Sequence, residues 1–496
     1  MCRQSLVIRE AQCWDHATHR GTGMDRAMFK RLDAVALAAM VHNGEVSPVE
    51  VLQAALGVIE DTNDALGAVV LLDPAGAMFA AERVDRSAPL AGVPVLIKDN
   101  NIDVEGWPTT YSSQFFEDSL APRDSEFVKR LRRAGAVLIG KTNLPEFAAD
   151  WATEPRFRGP TRNPWNPKFS AGGSSGGAAS AVAAGMVPVA HGNDLGGSIR
   201  IPAALCGLFG LKPSRGLVPV GPQVAEFSGG HNHEFVLTRS VRDSALLLDV
   251  LAGPDRESRY HVARPNGSIL DSIGRQLPPL RIGLASASAG VTIDPEIATA
   301  TERCARILAG HAGSITPIVL PHLSEVAREV ELIWVTDLAC LIERRSVEIG
   351  RKPRPDELEP KTWSILERVA GASARDYVAA RESVHAFVCR FLDATTGLDV
   401  LVTPVAAKTA PPLGYFGAAR EDFNFDLYAR RVADFGPMTE LFNLTGQPAA
   451  SVPFGLSTSG LPIGVQIVAP MLRDDVVLLA ARAVTDEVGD LPRPPD

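Results

Sequence analysis

Two short runs of unbroken apolar residues, with one amphipathic stretch between them, restrict the fold of this chain more than any other feature. Gly92-Val93-Pro94-Val95-Leu96-Ile97 is apolar at successive positions, and so is Ala136-Val137-Leu138-Ile139. A strand with one solvated face alternates polar and apolar residues, so an unbroken run needs cover on both faces. Between the runs, Asp124 to Ala134 is amphipathic and stops at Gly135, as a helix with a glycine end does. Strand, helix, strand in this order predicts parallel pairing in a sheet covered by helices. Lys98 and Asp99 follow the first run directly, at its carboxyl end.

The remaining elements extend this picture. Residues 1–27 read as a loosely ordered arm, with Met24 as an alternative start, and residues 1–23 lack the apolar core of a signal peptide. The body begins near Met28 with a helical pattern through Leu32, Val35, Leu37, Met40 and Val41. Ser47-Pro48-Val49-Glu50 predicts a capped start for a second helix running through Leu56 and Ile59. Residues 155–171 are rich in Pro, Arg and Asn and read as irregular, followed by a glycine-rich loop and a helix over Ala178 to Ala184. Val187 to Ala190 is a predicted strand, Gly192 to Gly197 a loop and Ile199 to Leu205 a short helix. Residues 290–395 are mostly helical by periodicity and contain the basic loop Arg351-Lys352-Pro353-Arg354-Pro355. Strands return at Val400 to Val402, Ala449 to Val452 and Ile463 to Val468. The sheet therefore draws on both ends of the sequence, which argues for one large domain over 28–496 rather than the several that length alone would suggest.

Composition removes several functions. The formal net charge is −9, so a nucleic-acid or anionic-membrane partner has no electrostatic footprint. No apolar run reaches the ~18–20 residues of a membrane span. The six cysteines form no CxxC pair and fit neither a zinc site nor a disulfide framework, which predicts a cytoplasmic protein without a metal.

Three motif matches compete. Gly135 to Thr142 fits the phosphate-loop pattern, but its variable positions are themselves an apolar strand, so the glycines mark strand ends rather than a nucleotide cradle. Gly172-x-Ser174-x-Gly176 fits a nucleophile elbow, yet Asn163 to Lys168 cannot be the buried strand an elbow requires. The third reading joins Gly172-Gly173-Ser174-Ser175-Gly176-Gly177 to Asp194-Leu195-Gly196-Gly197-Ser198-Ile199-Arg200. Bare backbone N–H groups beside a serine that opens a helix form an anion site next to a nucleophile. Two serine-bearing loops and a lysine ending a buried strand can supply nucleophile, relay and base without a histidine.

At these residues the chain resembles the amidase signature family of serine hydrolases. The matching stretches are Gly92 to Asp99, Ala134 to Phe147, Gly172 to Gly185, Gly192 to Pro213 and Asn443 to Val468, and the resemblance is weakest over 290–395. Thr153-Glu154-Pro155, Arg162 to Asn166 and His191 to Asp194 are similar to bacterial amidases, among them a nylon cyclic-dimer hydrolase. The resemblance implies an α/β/α domain with a mixed central sheet of about eleven strands. It implies Ser198 as nucleophile, Ser174 as bridging serine after a cis Gly173–Ser174 bond, and Lys98 as general base. Lys98 would be made neutral by burial, away from any close carboxylate. It further implies an oxyanion hole from the N–H groups of Leu195, Gly196, Gly197 and Ser198. Relatives often carry threonine in place of Leu195, which leaves the backbone role intact. Ser175, Asp194 and Arg200 are implied supports, the last two serving equally well as a structural ion pair. Ala148, Ala149 and Trp151 fall where the family lines its acyl pocket, a tryptophan that could as well be core.

The implied activity is hydrolysis of linear carbon–nitrogen amide bonds through an acyl-enzyme, with no cofactor. The partner would be a small-molecule amide, ester or carbamate, and a homodimer is a possible assembly. Two alternatives stay open: the glutaminase subunit of a tRNA-dependent amidotransferase, and a catalytically silent binding member. Because no Cys/His/Asp cluster has ligand spacing, prolonged treatment with strong chelators should leave activity unchanged. A loss restored by zinc or manganese would contradict the serine reading.

Overall fold

In the computed structural model, which describes residues 7–8, 24–287, 290–310 and 312–495, the two apolar runs lie side by side. They are Pro94–Lys98 and Val137–Thr142, paired in parallel, and every residue of both is buried. In chain order the strands are β1 (Val7–Ile8), β2 (Val69–Leu72), β3 (Pro94–Lys98), β4 (Val137–Thr142), β5 (Arg162–Asn163), β6 (Asn166–Ser170) and β7 (Val189–Asp194). There follow β8 (Phe209–Lys212), β9 (His233–Thr238), β10 (Arg281–Leu284), β11 (Ser314–Pro317), β12 (Val400–Pro404), β13 (Ala449–Leu456) and β14 (Pro462–Val468). Twelve of them form one mixed sheet in the order β1-β2-β4-β3-β7-β9-β8-β13-β14-β12-β10-β11. Without the two-residue edge strand β1 the count is the eleven expected. The rest of the expectation for residues 1–23 lies outside the described residues.

Local chemistry accounts for the helices flanking β3 and β4. Ser47 and Glu50 form a reciprocal capping box that starts the helix Pro48–Leu66. Ser125 caps Glu126–Arg133, and Gly135 follows in the left-handed region. The helical pattern near Met28 is two helices, not one: Arg26–Arg31 and Ala34–His42, split where Asp33 turns its carboxylate onto the Ala36 N–H.

Two other expectations change, and a third is extended. The irregular stretch contains a small hairpin, β5 with β6, which is half-exposed and outside the main sheet. Region 290–395 is mostly helical, as expected, but also carries β11, an edge strand parallel to β10 that is largely solvent-exposed. The strand expected to end at Ala190 continues through Asp194, pairing antiparallel with β9 at every step. Its polar residues His191, Asn193 and Asp194 are buried, so the polarity that suggested a loop belongs to a site inside the sheet.

Gly140-Lys141-Thr142 are strand residues. A Cβ at Gly140 would collide with the Leu71 carbonyl oxygen across the β2–β4 ladder, and Lys141 is paired with Asp99. Gly140→Ala should therefore destabilise the protein by about 1–3 kcal/mol, the usual range for overpacking, read as a lower urea midpoint. An unchanged midpoint would show that the ladder yields at no cost.

Candidate active site

Adjacent strand ends bring the site together. Lys98 closes β3, and β3 lies between β4 and β7, so Lys98 faces the end of β7 and the loop before the helix Gly176–Ala183. Lys98 is fully buried, with Nζ 2.7 Å from Ser174 Oγ and 3.0 Å from Ser175 Oγ, and it also bonds Asn193 Oδ1. An amide oxygen can only accept, so one N–H must go to Asn193. With a second N–H on Ser175, a neutral amine keeps its lone pair for the Ser174 hydroxyl. Burial lowers the Lys98 ammonium to about 7, against the opposing pull of Glu234 and Asp194. No carboxylate touches Lys98, as expected, although Glu234 and Asp194 act on it from a distance. Asp99 turns instead to Thr110 and Lys141.

The Gly173–Ser174 peptide bond is cis. The backbone of Asp150 and Trp151 packs so closely on Gly173 that a Cβ there would lie 2.7 Å from the Asp150 carbonyl oxygen. The 148–151 segment is thereby held against the serine loop. Ser198 is reached from the other side, where the Ser175 N–H donates to the Ser198 carbonyl at 3.1 Å. Ser174 and Ser198 line one cavity, although their hydroxyls are not hydrogen-bonded to each other.

The loop before Ser198 has a positive φ of 139° at Gly197, and a Cβ there would strike the Thr439 side chain. Glycine is the residue that fits both conditions. The N–H groups of Leu195, Gly196, Gly197 and Ser198 make no hydrogen bond with the described residues, so the loop leading into the serine keeps four free donors. Asp194 and Arg200 brace this loop from beneath. Asp194 accepts from the Ile199 N–H at 3.2 Å and from Arg200 Nε and Nη2 at 2.9 and 2.7 Å. Burial pushes the Asp194 carboxyl up, but the guanidinium and its hydrogen bonds outweigh this and hold it at about 2. The other donors of Arg200 go to the Thr439 carbonyl, Gln466 and Asn443, so all five are committed.

Sequence reasoning missed a second layer. His191 Nδ1 accepts the Lys98 N–H at 3.3 Å, which leaves Nε2–H to donate to Glu234 at 2.9 Å. Burial keeps this imidazole below its usual range, despite the pull of Glu234, in keeping with the neutral tautomer. Glu234 also accepts from Asn101 and Asn232, and Asn232 accepts from Asn193 at 2.9 Å. The signal available was the i, i+2 spacing of His191 and Asn193, which puts them on one face of a strand.

The cavity above these groups measures about 930 Å³. Its apolar wall includes Tyr111, Phe147, Trp151, Trp334, Phe425 and Tyr428. Ala148 and Ala149 line it as well, and Trp151 also packs on Phe435 in a hydrophobic cluster. Trp334 comes from the helix Ala327–Ile349, and Phe425 and Tyr428 from Phe425–Phe435. Lys361 lines the wall too, fully buried, with no hydrogen-bond partner for its Nζ among the described residues. Cys206 is buried on the helix Arg200–Cys206, and burial pushes its thiol up.

A family model described as amidase matches residues 50–478. The chain is 36% identical over 466 residues to the 6-aminohexanoate-cyclic-dimer hydrolase of Pseudomonas sp. (strain NK87), covering 90% of this chain and 93% of that one. It is 34% identical over 475 residues to a glutamyl-tRNA(Gln) amidotransferase subunit of Acidothermus cellulolyticus, covering 90% and 92%. Among solved structures, 6-aminohexanoate cyclic dimer hydrolase complexed with substrate superimposes with a TM-score of 0.85 at 33% identity, over 93% of this chain and 98% of that one. The chain belongs to the amidase signature family. It is a hydrolase that acts on amide bonds.

Breaking the Asp194–Arg200 pair should be severe. Arg200→Met strands a buried carboxylate and should cost about 3–5 kcal/mol of stability, together with amidase activity. Urea denaturation and an amide assay read both effects. Full activity with an unchanged midpoint would mean the pair does not hold the loop.

Proposed function

We propose that the chain is a serine amidohydrolase working through Lys98, Ser174 and Ser198, with a small-molecule amide as substrate. One observation carries this reading. A buried lysine lowered to about 7 touches Ser174, which shares a cavity with Ser198 and with Leu195 and Gly196, whose N–H groups are unengaged among the described residues.

Ser198 Oγ attacks the carbonyl carbon. Ser174 takes the Ser198 proton as it gives its own to neutral Lys98. Charge on the carbonyl oxygen develops toward the amides of Leu195, Gly196, Gly197 and Ser198. The proton then returns through Ser174 to the departing nitrogen, leaving an acyl group on Ser198. Water, deprotonated by the same route, releases the acid and restores Lys98. Esters and carbamates present the same carbonyl and fit the same steps. The aromatic side chains of the wall suit aryl or alkyl groups. Robust hydrolysis of simple amides by the isolated chain would set this reading apart from the glutaminase-subunit one.

Neutral Lys98 is the working form, so kcat/KM for an amide should rise with pH through about 7 and level off above it. Lys98→Ala should lose about 10²–10⁴-fold, the usual worth of a general base, and retain esters better than amides. Lys98→Arg should not rescue, since guanidinium stays protonated. Ser198→Ala should abolish turnover and fluorophosphonate labelling with the fold intact. Wild-type rates in Lys98→Arg would make Lys98 a structural cation and end the relay.

A further inference from the structure

Glu440 immediately precedes the helix Leu441–Thr445 and lines the cavity. A Cβ placed on Gly196 would stand 3.7 Å from its carboxyl group, so Glu440 lies against the loop that carries the unengaged N–H groups. Among the described residues its carboxyl has no hydrogen-bond or ion-pair partner. Arg200 is the guanidinium that acts on it electrostatically, yet every Arg200 donor is spent on Asp194, Asn443, Gln466 and the Thr439 carbonyl. Thr439 itself is tied to the Gly196 carbonyl at 2.5 Å.

An unpaired carboxylate at this point is a liability for the chemistry proposed above. It opposes the negative charge that develops on the carbonyl oxygen nearby. Burial, relieved in part by Arg200 and reinforced by Asp194, pushes the carboxyl up to about 7, so it resists ionising unless a cation stands beside it. A cation bound beside it would remove both penalties at once, favouring the carboxylate and screening the oxyanion. Within the cavity, the missing partner can come from the substrate.

We propose that Glu440 is a specificity-determining residue that binds a protonated amine of the substrate, within a few bonds of the scissile carbonyl. The preferred substrates are then amides that carry an ammonium group, on the acyl or the leaving side. This rests on the Ser198 reading. An ammonium–carboxylate contact would also give this acid, beside the Gly196 loop, the partner that the protein does not supply.

The test compares matched substrates at neutral pH. On the acyl side, 4-nitroanilides of short to long ω-amino acids are set against their N-acetylated partners. On the leaving side, monoacetylated diamines are set against n-alkyl acetamides. Wild type should favour the ammonium member of at least one series by about 10- to 100-fold, the range for a hydrogen bond to a charged group. Glu440→Gln should collapse that ratio towards one, chiefly through loss on the ammonium substrate, and Glu440→Asp should restore part of it. A wild type without preference in either series overturns the proposal with no variant needed, and so does a ratio unchanged in Glu440→Gln. An equal loss on both members marks a structural role and overturns it too. Fluorophosphonate labelling of Ser198 and turnover of the neutral members report on the serine reading separately.

Discussion

The burial of one lysine amine, Lys98, sets the terms for the rest of this structure. Its ordinary ammonium is protonated up to about 10.4, and burial brings that down to about 7. Between those limits the unfolded chain binds more protons than the folded one, so stability rises with pH across that window. Below about 7 the penalty is present in full, on the order of 5 kcal/mol by the pKa difference. A fold retains such a group only if the surroundings supply it with partners and the rest of the core offsets the loss.

The contrast with Lys141 shows what those surroundings do. Lys141 is as deeply buried, near the carboxyl end of the neighbouring strand, but it is paired with Asp99 and bonded to Thr109 at 2.8 Å. That lysine is a structural cation. Lys98 meets two hydroxyls and an amide oxygen instead, with Glu234 and Asp194 held away by His191 and Arg200. These two carboxylates set how far the amine is lowered without neutralising it by contact. The polar end of β7 therefore serves both the lysine and the loop ahead of Ser198.

Much of this was legible in sequence, for physical reasons. Unbroken apolar runs report strands covered on both faces, and the Ser47–Glu50 box reports a helix start, because each signal is local. The Gly172–Gly177 and Asp194–Arg200 loops were legible as a pair, since a glycine- and serine-rich run by itself reads as a flexible linker. Asn193 and Glu234 were not. Buried polar residues inside a strand look like a loop until their partners are known, and Glu234 arrives on β9, which only the sheet order places beside β7. The cavity wall was hidden for a similar reason. The helix Ala327–Ile349 has no pronounced apolar stripe and lies in a region where the family resemblance is weakest, so which face meets the site depends on packing from distant segments. Glu440 gave no signal, since a single acid before a short helix has many explanations.

The proposed relay requires Lys98 to be a neutral amine at working pH. Lysine labelled with carbon-13 at Cε, followed by NMR through a pH titration and assigned by loss of the signal in Lys98→Arg, reads this directly. Lys98 should then show a transition near pH 7, well apart from the exposed lysines. A Lys98 resonance that titrates with the exposed lysines, above about pH 10, would contradict it.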